Sequence, residues 1–337
     1  MAFRRTGFTH TVALSCVTVA ALVLACCTRK SSAQASAVNL AFDTKAPFQF
    51  IVYGDTRFHD PKDTEAANPP VRRALVDAIA EAKPAFVCMT GDIVYNGFDA
   101  DDWKVWDSET SIWRQEKIKV YPSLGNHDLH GDPKIALGNY FQRFPDLKDS
   151  RYYSVRAANT LLLVLDSALD ETSGPQGEWL ANKLDHVQAG VDFVFLVFHH
   201  PPYTSSSDAK EFGGGHSARS PELALGKMLE RRQAGARFRI VVFNGHVHNY
   251  ERHEHGGVTY FVSGGGAAHA YPIARAPDDP FQSKEVNYHY LLVQVAEHQL
   301  TVTMNRIDLT SGKPVWTQPD SVKIAIPSQA SAQTTGR

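Results

Sequence analysis

The chain has 337 residues with 34 basic and 36 acidic side chains, a formal net charge of −2 at pH 7. Its 43% hydrophobic and 21% charged residues are globular values and exclude disorder along the whole length. The near-neutral balance excludes a broad basic surface holding nucleic acid through its phosphates, so no nucleic-acid partner is expected.

The first residues read as a leader. Arg4 and Arg5 form a positive n-region, and Thr11 to Ala25 is an uncharged apolar run, shorter than the ~20 residues of a membrane span. Ala33-Gln34-Ala35 is an A-x-A cleavage pattern, so a signal peptide over 1–35 and a mature chain from Ser36 are expected. No later apolar run is long enough for a span. The expected location is periplasmic or secreted. An uncleaved anchor is the alternative, and the export route stays open. Val23-Leu24-Ala25-Cys26 resembles a bacterial lipoprotein box, although Leu24 is large for it, which would put a lipid on Cys26. Arg4-Arg5 with Phe8 faintly resembles a twin-arginine signal. After cleavage only Cys88 remains, so no internal disulfide forms, and its apolar run marks it as a small buried hydrophobe.

Beyond the leader, strands and helices alternate. Phe48–Tyr53 predicts a buried strand ending at Gly54-Asp55, and Asn68–Ala82 a helix with Pro69 and Pro70 at its start. Ala85–Met89 predicts a strand ending at Gly91-Asp92. Asp101–Lys117 predicts one helix, whose Trp103, Trp106 and Trp113 read as packing, followed by a strand over Ile118–Tyr121 ending at Gly125-Asn126-His127. Tyr152–Val155 and Thr160–Leu165 read as a hairpin, Gln176–Val187 as a helix, and Phe193–Phe198 as a strand stopping at His199-His200. Glu222–Gln233 predicts a helix and Arg239–Phe243 a strand ending at Gly245-His246. After Gly257 only strand-like runs remain, at Val258–Val262, Tyr290–Val295, Leu300–Met304 and Val322–Ile326, before a polar tail over 327–337 that reads as disordered. The alternation argues for an α/β fold, and five strands end in polar residues at the edge where such folds collect their sites.

Those residues are Asp55, Asp92, Asn126 with His127, His199 with His200, and His246 with His248. Carboxylate, imidazole and amide donors together suit first-row metals, and they outnumber the ligands of one tetrahedral ion. A two-metal site bridged by one carboxylate fits the count. His246 and His248 are two apart, so an extended segment would point both the same way.

Gly54-Asp55, Gly91-Asp92-Ile93-Val94-Tyr95, Gly125-Asn126-His127-Asp128, His199-His200-Pro201-Pro202-Tyr203 and Gly245-His246-Val247-His248 occur in this order. Together they resemble the five blocks of the calcineurin-like metallophosphoesterase superfamily. Gly91-Asp92-x-x-Tyr95 and the run from Gly245 to Arg252 resemble its purple acid phosphatase branch. The resemblance implies a four-layer α/β/β/α sandwich forming one catalytic domain over 36–326. It implies a first metal held by Asp55, Asp92, Tyr95 and His248. The second would be held by Asp92, Asn126, His199 and His246. His127 would face the substrate as proton donor. A tyrosinate ligand suits Fe3+, so the implied cofactors are Fe3+ plus a divalent ion, Fe2+, Zn2+ or Mn2+. The implied reaction is hydrolysis of a small phosphate monoester by hydroxide generated at the two metals, in line at phosphorus. A phosphodiesterase of the same fold, acting on cyclic nucleotides or lipid headgroups, is the alternative. A non-catalytic metal-holding protein is disfavoured, because every expected ligand and the proton donor are present.

One departure stands out. Most of the superfamily has histidine two residues after the first aspartate and the purple branch has glycine; this chain has Arg57. A cation beside two metals reads as a phosphate clamp, against a surface arginine paired with an acid such as Asp60. His200 and His216 are further candidates for substrate contact, His200 outside the metal shell and His216 from a Gly-rich loop. Tyr95 has packing as its alternative. His253 and His255 read as surface residues, and Gly264-Gly265-Gly266 as a tight return between strands.

Overall fold

Strand residues here alternate between two cores, and that alternation sets the layers. Phe193, Phe195 and Val197 belong to one hydrophobic cluster, while Val194, Leu196 and Phe198 belong to another. A strand's side chains point to opposite faces in turn, so such a strand is buried on both sides. The computed structural model describes residues 37–207 and 216–327. The expected leader with Cys26, and the tail from 328 onward, lie outside the described residues. No helix among the described residues is long and apolar enough to cross a membrane.

One seven-stranded sheet runs β1 (Val38–Phe42), β5 (Tyr153–Ala157), β6 (Thr160–Val164), β7 (Phe193–Val197), β8 (Arg239–Asn244), β10 (Val258–Ser263), β9 (Tyr250–His255). The other runs β13 (Val315–Thr317), β12 (Gln299–Asp308), β11 (Tyr288–Val295), β2 (Phe48–Tyr53), β3 (Phe86–Met89), β4 (Lys119–Pro122), with β14 (Ser321–Ala325) also on β12. The sheets face each other through an aromatic seam: the Phe50 ring of β2 lies 5.2 Å from Phe195 of β7, edge to face. Helices α5 (Gly174–Asp185) and α6 (Ser220–Gln233) cover the outer face of the first sheet through Leu180, Leu184, Leu225 and Leu229. Helix α1 (Pro69–Glu81) covers the second through Leu75, Val76 and Ile79. The expected α/β/β/α layering is therefore present. β2, β3 and β4 are mutually parallel, as are β6, β7 and β8, so the chemical residues after them emerge at aligned strand ends.

Several expectations change. The single helix over Asp101–Lys117 is two, α2 (Ala100–Glu109) and α3 (Ser111–Gln115), because Thr110 turns its hydroxyl back onto the Trp106 carbonyl at 2.6 Å. All three tryptophans are buried as expected, with Trp103 and Trp113 donating to the carbonyls of Gly97 and Val76. Strands β1, β9 and β13 and helix α4 (Pro133–Arg143) were not predicted. His253 is not a surface residue: it is buried, with Glu251 at 3.3 Å and Asp279 at 3.4 Å. Gly264–Gly266 is not a return, since the chain runs on to β11. A Cβ on Gly264 would lie 2.1 Å from the Val247 carbonyl oxygen, so the glycines allow close packing beside the site.

Candidate metal centre

The loops after β2, β3, β4, β7 and β8 converge, and several of their residues are bent where they do. Asp55, Arg57, Asp92 and His246 all have left-handed backbones, at φ 57°, 43°, 50° and 70°. Each such residue costs of order 1–3 kcal/mol, and tertiary contacts must hold it. Gly91 sits among them at φ 94°, where an added Cβ would lie 2.7 Å from His199 Nδ1. His246 and His248 do not lie on an extended segment. They lie in a bend between β8 and β9, and it is the bend that turns both rings inward.

The carboxylates are buried and partly satisfied by backbone. Asp55 accepts the His246 N–H with both oxygens, at 3.0 and 2.9 Å. Asp92 Oδ1 accepts the His127 N–H at 2.9 Å and lies 3.3 Å from His199 Nε2. Burial and the Asp92 charge raise the Asp55 carboxyl well above its ordinary range. Burial also opposes charge on Asp92, but His199, His127 and Arg57 surround it and hold it well below that range.

The imidazoles present lone pairs inward. His199 Nδ1 lies 2.9 Å from the Thr90 carbonyl, which can only accept, so Nδ1 carries the proton and Nε2 is a bare acceptor. Around that Nε2 stand Asn126 Oδ1 at 3.0 Å, His246 Nδ1 at 3.2 Å and Asp92 Oδ1 at 3.3 Å. The same logic holds for His248, whose Nδ1 bonds the His269 carbonyl at 2.9 Å. Its Nε2 is buried without a hydrogen-bond partner among the described residues, 3.7 Å from Asp55 Oδ1. The Asn126 and Asp92 oxygens repel the bare His199 nitrogen unless a cation sits among them, while His246 Nδ1 is donor or acceptor according to its tautomer. Ligand atoms bonded to one ion at ~2.1 Å lie ~3.0–3.5 Å from each other, matching the spacing around His199. The donor set therefore fits metal ions: Asp92, Asn126, His199 and His246 on one side, Asp55, Asp92 and His248 on the other.

The remaining candidates lie around this centre. His127 Nδ1 donates to the Tyr95 carbonyl at 2.7 Å, its Nε2 is 4.0 Å from Asp92 Oδ2, and burial lowers its pKa to about 4. The Tyr95 ring packs between His59 and His127, with centroids 5.0 and 5.3 Å away, and its hydroxyl makes no hydrogen bond among the described residues. Arg57 is not paired with Asp60; its Nη2 lies 3.4 Å from Asp92 Oδ2. His200 is buried, with Nδ1 2.7 Å from Ser167 Oγ and its ring 4.2 Å from that of His246. One ligand atom each of His199, His200 and His246 lies within 4.8 Å of the others. His216 stacks on His246 at 4.1 Å; residues 208–215 before it lie outside the described residues.

Two partners were missed in the sequence. Asp128 accepts N–H bonds from Ile93 (2.9 Å), Val94 (3.2 Å) and Gly125 (2.8 Å), tying the β3 and β4 loops together. Burial and the Asp92 charge raise it to about 8. Its place in the Gly125-Asn126-His127-Asp128 block was the available signal. Ser167, which holds His200, lies in the loop after β6 with no motif around it.

A family model for calcineurin-like phosphoesterases matches residues 48–250, more than half of the chain. Purple acid phosphatase 1 of Ipomoea batatas is 27% identical over 193 residues, covering 51% of this chain and 38% of that protein. The phosphoenolpyruvate phosphatase of Allium cepa is 26% identical over 211 residues, covering 57% and 41%. The chain thus matches about two-fifths of the length of these curated relatives. The purple acid phosphatase of yellow lupin (Lupinus luteus) seeds shares the fold at TM-score 0.62 and 14% identity, covering 84% of this chain and 54% of that one. With the match over 48–250 and a donor set fitted to metal ions, this chain belongs to the calcineurin-like phosphoesterase family, and its sequence relatives include purple acid phosphatases.

Proposed function

We propose that this chain hydrolyses phosphate monoesters in a metal-dependent reaction. The centre is formed by Asp55, Asp92, Asn126, His199, His246 and His248, with Tyr95 completing the first ion's ligands. The observation that carries the reading is the set of inward lone pairs on His199 Nε2 and His248 Nε2, each in a ring whose other nitrogen donates to a carbonyl. Ions bound there supply charge against the phosphoryl oxygens and lower the pKa of a water molecule. The chain's own residues do the rest. Asp92 lies between the two donor sets. His127, anchored by its Nδ1 on the Tyr95 carbonyl, turns Nε2 toward the side of Asp92 where a leaving group would stand. The phosphatase relatives support a monoester substrate. Fe3+ with a divalent ion is proposed on the Tyr95 match alone.

The test is turnover of p-nitrophenyl phosphate and bis-p-nitrophenyl phosphate by protein reconstituted with Fe3+ and Zn2+ or Mn2+. Faster monoester turnover that chelation abolishes is expected. Faster diester turnover would move the reading to a phosphodiesterase, and no turnover of either with full metal content would sink it. A visible absorption band lost in Tyr95→Phe is expected if Tyr95 binds iron. We also propose export, on the leader alone: the mature N-terminus is expected at Ser36, and a lipidated Cys26 terminus would replace that assignment.

A further inference from the structure

Arg57 stands where the chain departs from its family's first block, and its surroundings are not those of a surface arginine. Its backbone is left-handed at φ 43°, a conformation that glycine adopts without strain. The backbone is also pinned on both sides. Its N–H donates to the Asp92 carbonyl at 3.0 Å, and its carbonyl accepts from Arg72 Nη1 at 3.0 Å. Arg72 is itself buried and held by Glu109 through two 2.8 Å bonds. The Arg57 side chain is 14% exposed, its Nε is buried without a partner among the described residues, and Nη2 rests 3.4 Å from Asp92 Oδ2. Asp60 accepts from the Lys62 N–H and is not its partner.

Asp92 is thereby divided between its two sides. Oδ1 faces His199, where Asn126 Oδ1, His246 Nδ1 and Asp92 Oδ1 already stand 3.0 to 3.3 Å from one nitrogen. Oδ2 faces the guanidinium of Arg57. On that second side, Asp55 Oδ1 and His248 Nε2 are 3.7 Å apart, and the third donor oxygen is already paired with a cation. An arriving metal ion meets assembled ligands on one side and a like charge on the other.

We propose that the two cation positions are unequal and that Arg57 sets the inequality. The position at Asp92, Asn126, His199 and His246 fills first and holds its ion tightly. The position at Asp55, Asp92, Tyr95 and His248 fills with a divalent ion only as Arg57 yields Asp92 Oδ2, and it binds that divalent ion weakly. This rests on reading the site as a two-cation centre.

The test is calorimetric titration of the metal-free full-length protein with Zn2+ or Mn2+, with ions per chain counted by mass spectrometry after desalting. Wild type is expected to retain one ion and to bind a second at least ~10-fold more weakly, the size of effect a nearby like charge gives. Arg57→Gly relieves the left-handed strain, so it is expected to fold. It should retain two ions and tighten the second step at least ~10-fold. Arg57→Lys keeps the charge and should retain one. Two equally tight ions in wild type, or an unchanged second step in a folded Arg57→Gly, would overturn the proposal. Turnover of the same wild-type protein in saturating metal separates this from the reading beneath it. Stepwise binding without turnover sinks the phosphatase reading and leaves the inequality standing; no binding at either position sinks both.

Discussion

Asp55 and Asp92 leave the sheet that contains β2 and β3; His199 and His246 leave the other sheet, from β7 and β8. The two sides solve burial differently. The carboxylates accept backbone N–H bonds from His246 and His127, so part of their charge is satisfied by the fold itself. His199 uses its N–H on the Thr90 carbonyl outside the centre and turns a bare nitrogen inward, toward His246 and toward oxygen. A hydrogen bond costs little to make and much to leave unmade. The carboxylate side therefore stands with or without an ion, whereas the imidazole side is complete only with one.

The sharpest way to break that comparison is at Asp92, which both sides share. Asp92→Asn leaves the shape and removes the charge. Bound metal should fall below the one ion that wild type retains, and turnover by ~10³-fold or more. A fully retained ion with near-normal turnover would mean that the sides do not depend on Asp92. His127 is a histidine at the centre that is not expected to bind metal. Assayed near pH 4, where His127 Nε2 can carry a proton, His127→Ala should retain the ions yet lose ~10²-fold on alkyl phosphates and less on nitrophenyl phosphate, whose leaving group needs no proton. Equal losses on the two substrates would reduce His127 to a positioning residue.

Glu171 shows what burial does to a carboxyl outside the centre whose backbone support comes from its own N–H alone. It is 1% exposed, and neither of its oxygens has a hydrogen-bond partner in another described residue. Burial raises its pKa from 4.5 to about 7. The folded state thus holds a proton that the unfolded state has released, so stability is fully present below about 4.5 and falls as pH rises through about 7. Glu171→Gln should melt near wild type at pH 5 and a few degrees above it at pH 8. Parallel melting curves for the two proteins would mean that Glu171 is neutralised by a partner such as Arg219.

The motif residues were legible because each sits in a short block directly after an apolar strand. Chemistry and position could be read together in Gly91-Asp92 or Gly245-His246. Elements whose burial comes from partners were not legible. β9 reads Tyr-Glu-Arg-His-Glu-His, a run that looks solvated, yet it pairs with β10 along its length. β1 becomes a strand through its parallel partner β5, from which more than a hundred residues separate it. Thr110 splits a helix that the spacing of tryptophans suggested was continuous.

The sequence by itself determined which donors reach the centre, because ligand type is a property of single residues and their order follows the strands. Only the tertiary structure decided how those donors meet. The motif strands are shared between two packed sheets, and the facing aromatic layers bring their loops together. The contact of Arg57 with Asp92 spans 35 residues of chain and is made possible by a left-handed backbone that no local pattern announces. Identity is written locally, but distance is set by packing, and the balance between the two ion positions depends on distance.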